Sequence, residues 1–138
     1  MKIEATIPEW ALLTWEGQAK QFPKVGKPGI EFHIYCACGR PACRKGTESC
    51  GEIPVQTFTY RNNKGHLVGI LYRYPTDSEL EKAGNVNIWI RPDRKRRGIG
   101  TKLVDACIRK FGMPDWEQQR YSQEGAEFAY RMIQRYQP

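Results

Sequence analysis

Apolar and polar residues alternate with a period of two at several places in this chain. Ile30 to Tyr35 (IEFHIY) follows that rhythm, as do Thr57 to Tyr60 (TFTY), His66 to Tyr74 (HLVGILYRY) and Asn85 to Ile90 (NVNIWI). Alternation of this kind predicts half-buried β-strands. Arg61-Asn62-Asn63-Lys64-Gly65 lies between the second and third runs, and its turn chemistry predicts a hairpin. Two segments change period. From Ile99, the residues Leu103, Cys107, Ile108 and Phe111 recur on one face of a helix, with Lys102, Asp105, Arg109 and Lys110 largely on the other and Gly112 as its stop. A last helix follows Ser122 as N-cap, with Gly125, Ala129, Met132, Ile133 and Tyr136 along one side. Shorter signals complete the pattern. PEWALLTWEGQAK from Pro8 reads as a short helix weakened or ended by Gly17, and SELEKAG as one or two turns closed by Gly84. WEQQRY, Trp116 to Tyr121, reads as a strand beside the Asn85–Ile90 one.

Between that strand and the first long helix stand Pro92-Asp93, four cations (Arg94, Lys95, Arg96, Arg97) and Gly98-Ile99-Gly100. The first amides of a helix lack intrahelical partners, and the peptide dipoles add partial positive charge there. Glycines admit a phosphate close to the main chain, and guanidinium or ammonium groups add charge-assisted hydrogen bonds. The segment therefore predicts a diphosphate site. It is not a P-loop, whose G-x-x-x-x-G-K-[ST] spacing is absent. Nor is it a dinucleotide fingerprint, since no third glycine follows at the required spacing.

Strand, proline, basic run, Gly-Ile-Gly and amphipathic helix together resemble motif A of the GNAT acetyltransferase superfamily, with Lys95 where the family usually carries Arg or Gln. Tyr121-Ser122-Gln123-Glu124-Gly125, followed by Phe128, looks like the strand-to-helix passage of its motif B. The resemblance implies an α/β (α+β) fold: a mixed, mostly antiparallel sheet flanked by helices. It implies acetyl-CoA as co-substrate and a primary amine of unknown identity as acceptor. The diphosphate would be held by the amides of Gly98, Ile99, Gly100 and Thr101, aided by Lys95, Arg96, Arg97 and Lys102. The pantetheine arm would lie along Ile88, Trp89 and Ile90, hydrogen-bonded as an added strand. The family often uses a tyrosine of the last helix as general acid. Counted from Ser122, that place falls on Ala129, one residue before Tyr130, the candidate here. Glu31, His33 and Glu52 are candidate bases.

With 138 residues the chain is expected to form a single domain, 1–138. A net charge of +7 favours an anionic partner, either the phosphorylated co-substrate or nucleic acid. No apolar run is long enough to cross a bilayer, and Met1-Lys2-Ile3-Glu4-Ala5 lacks the apolar core of a secretory signal. The expectation is a cytoplasmic protein with no membrane partner. Four of the five cysteines (Cys36, Cys38, Cys43 and Cys50) crowd into 36–50 with spacing C-x-C-x4-C-x6-C. Four thiolates at such spacing suit a structural zinc ion, with His33 as a substitute ligand, and a cytoplasmic setting disfavours disulfides. Two alternatives stand beside the N-acetyltransferase. One is a zinc-containing module that binds nucleic acid through the basic loop, with Tyr72 and Trp89 available for stacking. The other is a homologue that binds CoA but has lost catalysis.

Overall fold

The computed structural model describes residues 3, 5–7, 13–36, 54–77 and 82–137. Four strands, β1 (Gly29–Cys36), β2 (Pro54–Arg61), β3 (Leu67–Arg73) and β4 (Val86–Ile90), form an antiparallel sheet in the order β1-β2-β3-β4. Three helices accompany them: α1 (Trp15–Ala19), α2 (Ile99–Phe111) and α3 (Gln123–Arg135). This is the mixed α+β architecture that the alternating runs and the two helical periods predict.

Each face of the sheet has its own core because successive side chains point to opposite sides. Phe58, Leu71, Val86 and half-buried Phe32, Ile88 and Ile90 pack against Leu103, Val104 and Cys107 of α2 and Ala126, Ala129, Met132 and Ile133 of α3. On the other face Ile70, Tyr72 and Trp89 pack with Phe22 and with Trp15 and Ala19 of α1. The β2–β3 hairpin turns where Asn62 Oδ1 accepts from the Lys64 and His66 amides, both at 3.0 Å. Its register shifts so that Tyr60 faces Gly69 and Arg61 faces Leu67. Val68 is the extra residue, a bulge that turns Val68 and Gly69 toward the same face. A Cβ on Gly69 would lie 2.8 Å from Ile99 Cγ2 and 2.9 Å from Leu103 Cδ1. The missing side chain is what lets α2 come down onto the sheet.

The segment read as a strand over Trp116–Tyr121 is different. Trp116–Gln118 forms a 3-10 turn, because Asp115 caps it by accepting from the Glu117 amide at 3.2 Å and Trp116 is buried. The Tyr121 hydroxyl donates to the Trp116 carbonyl at 2.6 Å and folds the segment back on itself. Only an isolated parallel bridge between Tyr121 and Ala5 retains strand character. The edge of β4 is met instead by side chain and turn: Gln119 Oε1 accepts from the Val86 amide at 2.5 Å, and the Gln118 carbonyl accepts from Asn85 Nδ2 at 3.2 Å. The first helix differs in extent. Its described part begins after Thr14, whose hydroxyl accepts from the Gly17 amide, so Gly17 sits inside it rather than ending it. Residues 8–12 of that expected helix, and 78–81 of the SELEKAG run, lie outside the described residues. No helix among the described residues is long and apolar enough to cross a membrane.

Candidate functional site

β4 runs into the 3-10 turn Pro92–Arg94 and from there into the start of α2. Two successive features set the backbone of this loop. Arg96 has φ 65°, the one positive φ among described non-glycine residues, and Gly98 takes the left-handed conformation at φ 79°, ψ 8° as N-cap of α2. Thr14 caps α1 and Ser122 caps α3 with their hydroxyls, but no side chain caps α2 and no acidic residue lies in its first turn. Among the described residues, then, no side chain caps the leading amides of this 13-residue helix. Gly100 is required by packing: a Cβ there would meet Phe128 Cε1 and Cζ of α3 at 3.1 and 3.2 Å.

The cations divide into committed and uncommitted groups. Arg91 donates to both oxygens of Asp93, at 2.6 and 3.1 Å, and that hydrogen bond is the main reason the Asp93 carboxyl sits below its ordinary pKa. Lys95 Nζ donates to Glu124 Oε2 at 3.1 Å, joining the loop to the first turn of α3. Lys102 is turned away from the loop, toward β2. Its ammonium donates to the Tyr60 hydroxyl at 3.2 Å and lines a shallow groove of about 380 Å³ with Gly29, Ile30, Tyr60, Asp105 and Arg109. Arg96 and Arg97 are exposed and have no ion-pair partner among the described residues.

Hydrogen-bond direction divides β4 in the same way. The Asn85 carbonyl accepts from Tyr74 and the Arg91 amide donates to Val68, so odd-numbered main-chain groups face β3. The Val86 amide faces the other way, to Gln119. By alternation the main-chain groups of Ile88 and Ile90 point out of the open edge of the described sheet, while those of Trp89 serve the β3 ladder. The Trp89 ring packs edge-on against Tyr72 at 5.1 Å and its indole donates to the Leu13 carbonyl at 3.3 Å.

Other expected groups lie elsewhere. Tyr130 is 55% exposed, whereas Ala129 is 1% exposed and packs into the core, so the one-residue offset turns the phenol outward. Glu31 and His33 share a 2.9 Å hydrogen bond on β1. They stand three strands from β4, about 14 Å at ordinary strand spacing, and neither can take a proton directly from a group at that edge. Glu52, Cys38, Cys43 and Cys50 lie outside the described residues, and Cys36 ends β1. Among the described residues no group of three or more His, Cys, Asp or Glu could hold a metal ion. Pattern reading missed Glu124 as a partner of the loop, because the two residues of the pair lie 29 positions apart. The Gln119 contact to β4 was hidden for the same reason.

No curated protein and no solved structure matches this chain. A family model described as acetyltransferase (GNAT) family matches residues 30–122, from the first strand through the basic loop and α2 to the cap of α3. The match supports an acetyltransferase-type function in general and stops short of the helix that carries Tyr130. With two thirds of its length covered, including the open-ended α2 and the strand leading into it, this chain belongs to the GNAT acetyltransferase family.

Proposed function

We propose that the protein is an N-acetyltransferase that moves the acetyl group of acetyl-CoA directly to a primary amine. The observation that carries this reading is the uncapped start of α2, approached by left-handed Arg96 and Gly98 and flanked by uncommitted Arg96 and Arg97. In this reading the diphosphate takes the amides of Gly98, Ile99, Gly100 and Thr101, and Lys95, Arg96 and Arg97 supply counter-charge. Lys102 contributes through the local field, since its ammonium is engaged with Tyr60. The pantetheine amides pair with Ile88 and Ile90 at the open edge, and Trp89 supports that strand from the α1 face. One outward amide of β4 polarises the thioester carbonyl in the manner of an oxyanion hole. The neutral amine attacks the carbonyl carbon, the carbon–sulfur bond breaks, the nitrogen gives up a proton to solvent, and the CoA thiolate takes one up, with Tyr130 as candidate donor. Cys36, Cys38, Cys43 and Cys50 form a structural zinc site in the same reading, tested by metal analysis of protein purified without chelator.

Thermal denaturation with and without acetyl-CoA tests the binding half, because a ligand that favours the native state raises its melting temperature. Release of free CoA thiol across an amine panel tests the transfer half. A member that binds CoA without turning it over is the second reading, favoured by the outward placement of Tyr130. It predicts the thermal response without thiol release. Salt-sensitive retention of nucleic acid with no response to acetyl-CoA would overturn both.

A further inference from the structure

Among the described residues, Glu124 is the one carboxylate that contacts Lys95 from α3. Its Oε2 lies 3.1 Å from Lys95 Nζ, and both side chains are open to solvent at 70% and 44%. Every other acidic contact in the segment is made by Asp93, which is engaged by Arg91. Two consequences follow from elementary electrostatics. Lys95 gives part of its charge to Glu124 while the loop is empty, and an arriving diphosphate must draw the ammonium away. Once the diphosphate is seated, the Glu124 charge stays within a few ångströms of Lys95 and repels the new anion.

Resting on the reading that the loop holds a CoA diphosphate, we propose that Glu124 is a positioning residue that competes with CoA for Lys95. It thereby lowers affinity and speeds departure of the CoA product. The pair is exposed, so the competition is modest and readily reversed, as a release device requires. Glu124 is well placed for this because it sits in the first turn of α3, where the helix dipole favours a carboxylate and Ser122 fixes the turn by accepting from the Gly125 amide at 3.0 Å. The carboxylate is therefore held by its helix rather than by Lys95, and it persists when Lys95 leaves.

The test is CoA binding by calorimetry and CoA dissociation by stopped flow, for wild type, Glu124→Gln, Glu124→Ala, Lys95→Met and the Lys95→Met/Glu124→Gln double variant. Glu124→Gln and Glu124→Ala are each expected to bind CoA about two- to fivefold more tightly, through slower dissociation. Lys95→Met is expected to bind more weakly, and the gain from Glu124→Gln is expected to shrink in the Lys95→Met background. A variant that merely loosens α3 cannot gain affinity, so tightening separates this role from a structural one. Unchanged or weaker binding by Glu124→Gln and Glu124→Ala, with wild type binding CoA normally, overturns the inference. So does an undiminished gain in the Lys95→Met background, which would assign the effect to general charge rather than to Lys95. Failure of wild type to bind CoA at all overturns the diphosphate reading itself and is distinguishable from both.

Discussion

Replacing Arg96 with glycine should push stability and cofactor affinity in opposite directions. At φ 65° the Arg96 Cβ crowds its own backbone, which costs a side-chain-bearing residue roughly 1–2 kcal/mol relative to the right-handed region. Glycine removes that cost but gives back about 0.4–1 kcal/mol through the greater freedom of the unfolded chain. The net expectation for Arg96→Gly is a gain of about 0.5–1 kcal/mol, a rise of a few degrees in Tm for a domain of this size. No counter-term arises from lost contacts, since Arg96 is exposed and has no ion pair among the described residues. Affinity should move the other way. Losing one exposed guanidinium from a diphosphate site costs about 0.5–1.5 kcal/mol, a two- to tenfold weakening of CoA binding.

Two companion variants make the argument refutable. Arg96→Ala keeps a Cβ at positive φ and loses the charge, so it should bind as weakly as Arg96→Gly without the rise in Tm. Arg96→Lys keeps both charge and strain and should resemble wild type in each. The assays are thermal unfolding without ligand and calorimetric titration with CoA at fixed ionic strength. An unchanged or lowered Tm for Arg96→Gly would show that the left-handed backbone is not held in the folded protein. Full CoA affinity in Arg96→Gly and Arg96→Ala would show that the guanidinium does not face the ligand.

Gly69→Ala puts a methyl group 2.8–2.9 Å from Ile99 and Leu103, so unfolding should show a loss of about 1–3 kcal/mol, and in a double-mutant cycle that loss should be smaller in the Ile99→Ala background, where the colliding Cγ2 is gone. Tyr130→Phe should leave the unfolding free energy within about 0.5 kcal/mol of wild type, since the phenol is exposed. If Tyr130 protonates the departing thiolate, its kcat falls while CoA affinity holds, and an unchanged kcat removes it from the mechanism. Burial pushes the Cys107 thiol up to about 11 from 9.0. The unfolded chain therefore releases that proton first, so the thiol's contribution to stability is complete below pH 9 and declines as pH rises toward 11. Urea unfolding of wild type against Cys107→Ala between pH 8 and 11 should show a smaller pH dependence in the variant, and parallel curves would refute the assignment.

Much of the sheet was legible because the period of two sorts the residues of each strand onto its two faces, although both faces are covered and β3 is buried on each. Phe32, Phe58, Leu71 and Ile88 fall on the α2 side where the period of two puts them. The long helices were legible from caps and period, although Val104 is buried beside Leu103 because α2 packs against the sheet and α3 together. Trp116–Tyr121 misled because its aromatic residues favour strands, while the Asp115 cap and the Tyr121–Trp116 hydrogen bond close a turn no propensity encodes. The glycines and cations of the loop led to the expectation of a phosphate site, which nothing in the fold itself tests, but no sequence signal marked the positive φ at Arg96, since arginine is not a turn residue by composition. Lys102 shows a further limit. Its place two residues after Gly100 made it a candidate contact to the diphosphate, but the helix turns it toward Tyr60 on β2.

The loop between 96 and 100 concentrates three free-energy costs. α1 and α3 satisfy their first turns with Thr14 and Ser122, but α2 leaves its amides uncapped. A left-handed arginine adds strain, and adjacent Arg96 and Arg97 repel one another. Nothing in the packing obliges any of these: a Cβ at Gly98 would meet no atom within 4 Å, and neither arginine is buried. By contrast, the contacts on either side are tight, with Gly69 under Ile99 and Gly100 under Phe128. In the proposed reading a bound diphosphate would offset two of the three costs at once, by accepting from the amides and neutralising the guanidinium pair. The amides and the Arg96–Arg97 pair then need little rearrangement to take the diphosphate, and the Lys95–Glu124 pair is the contact that must open.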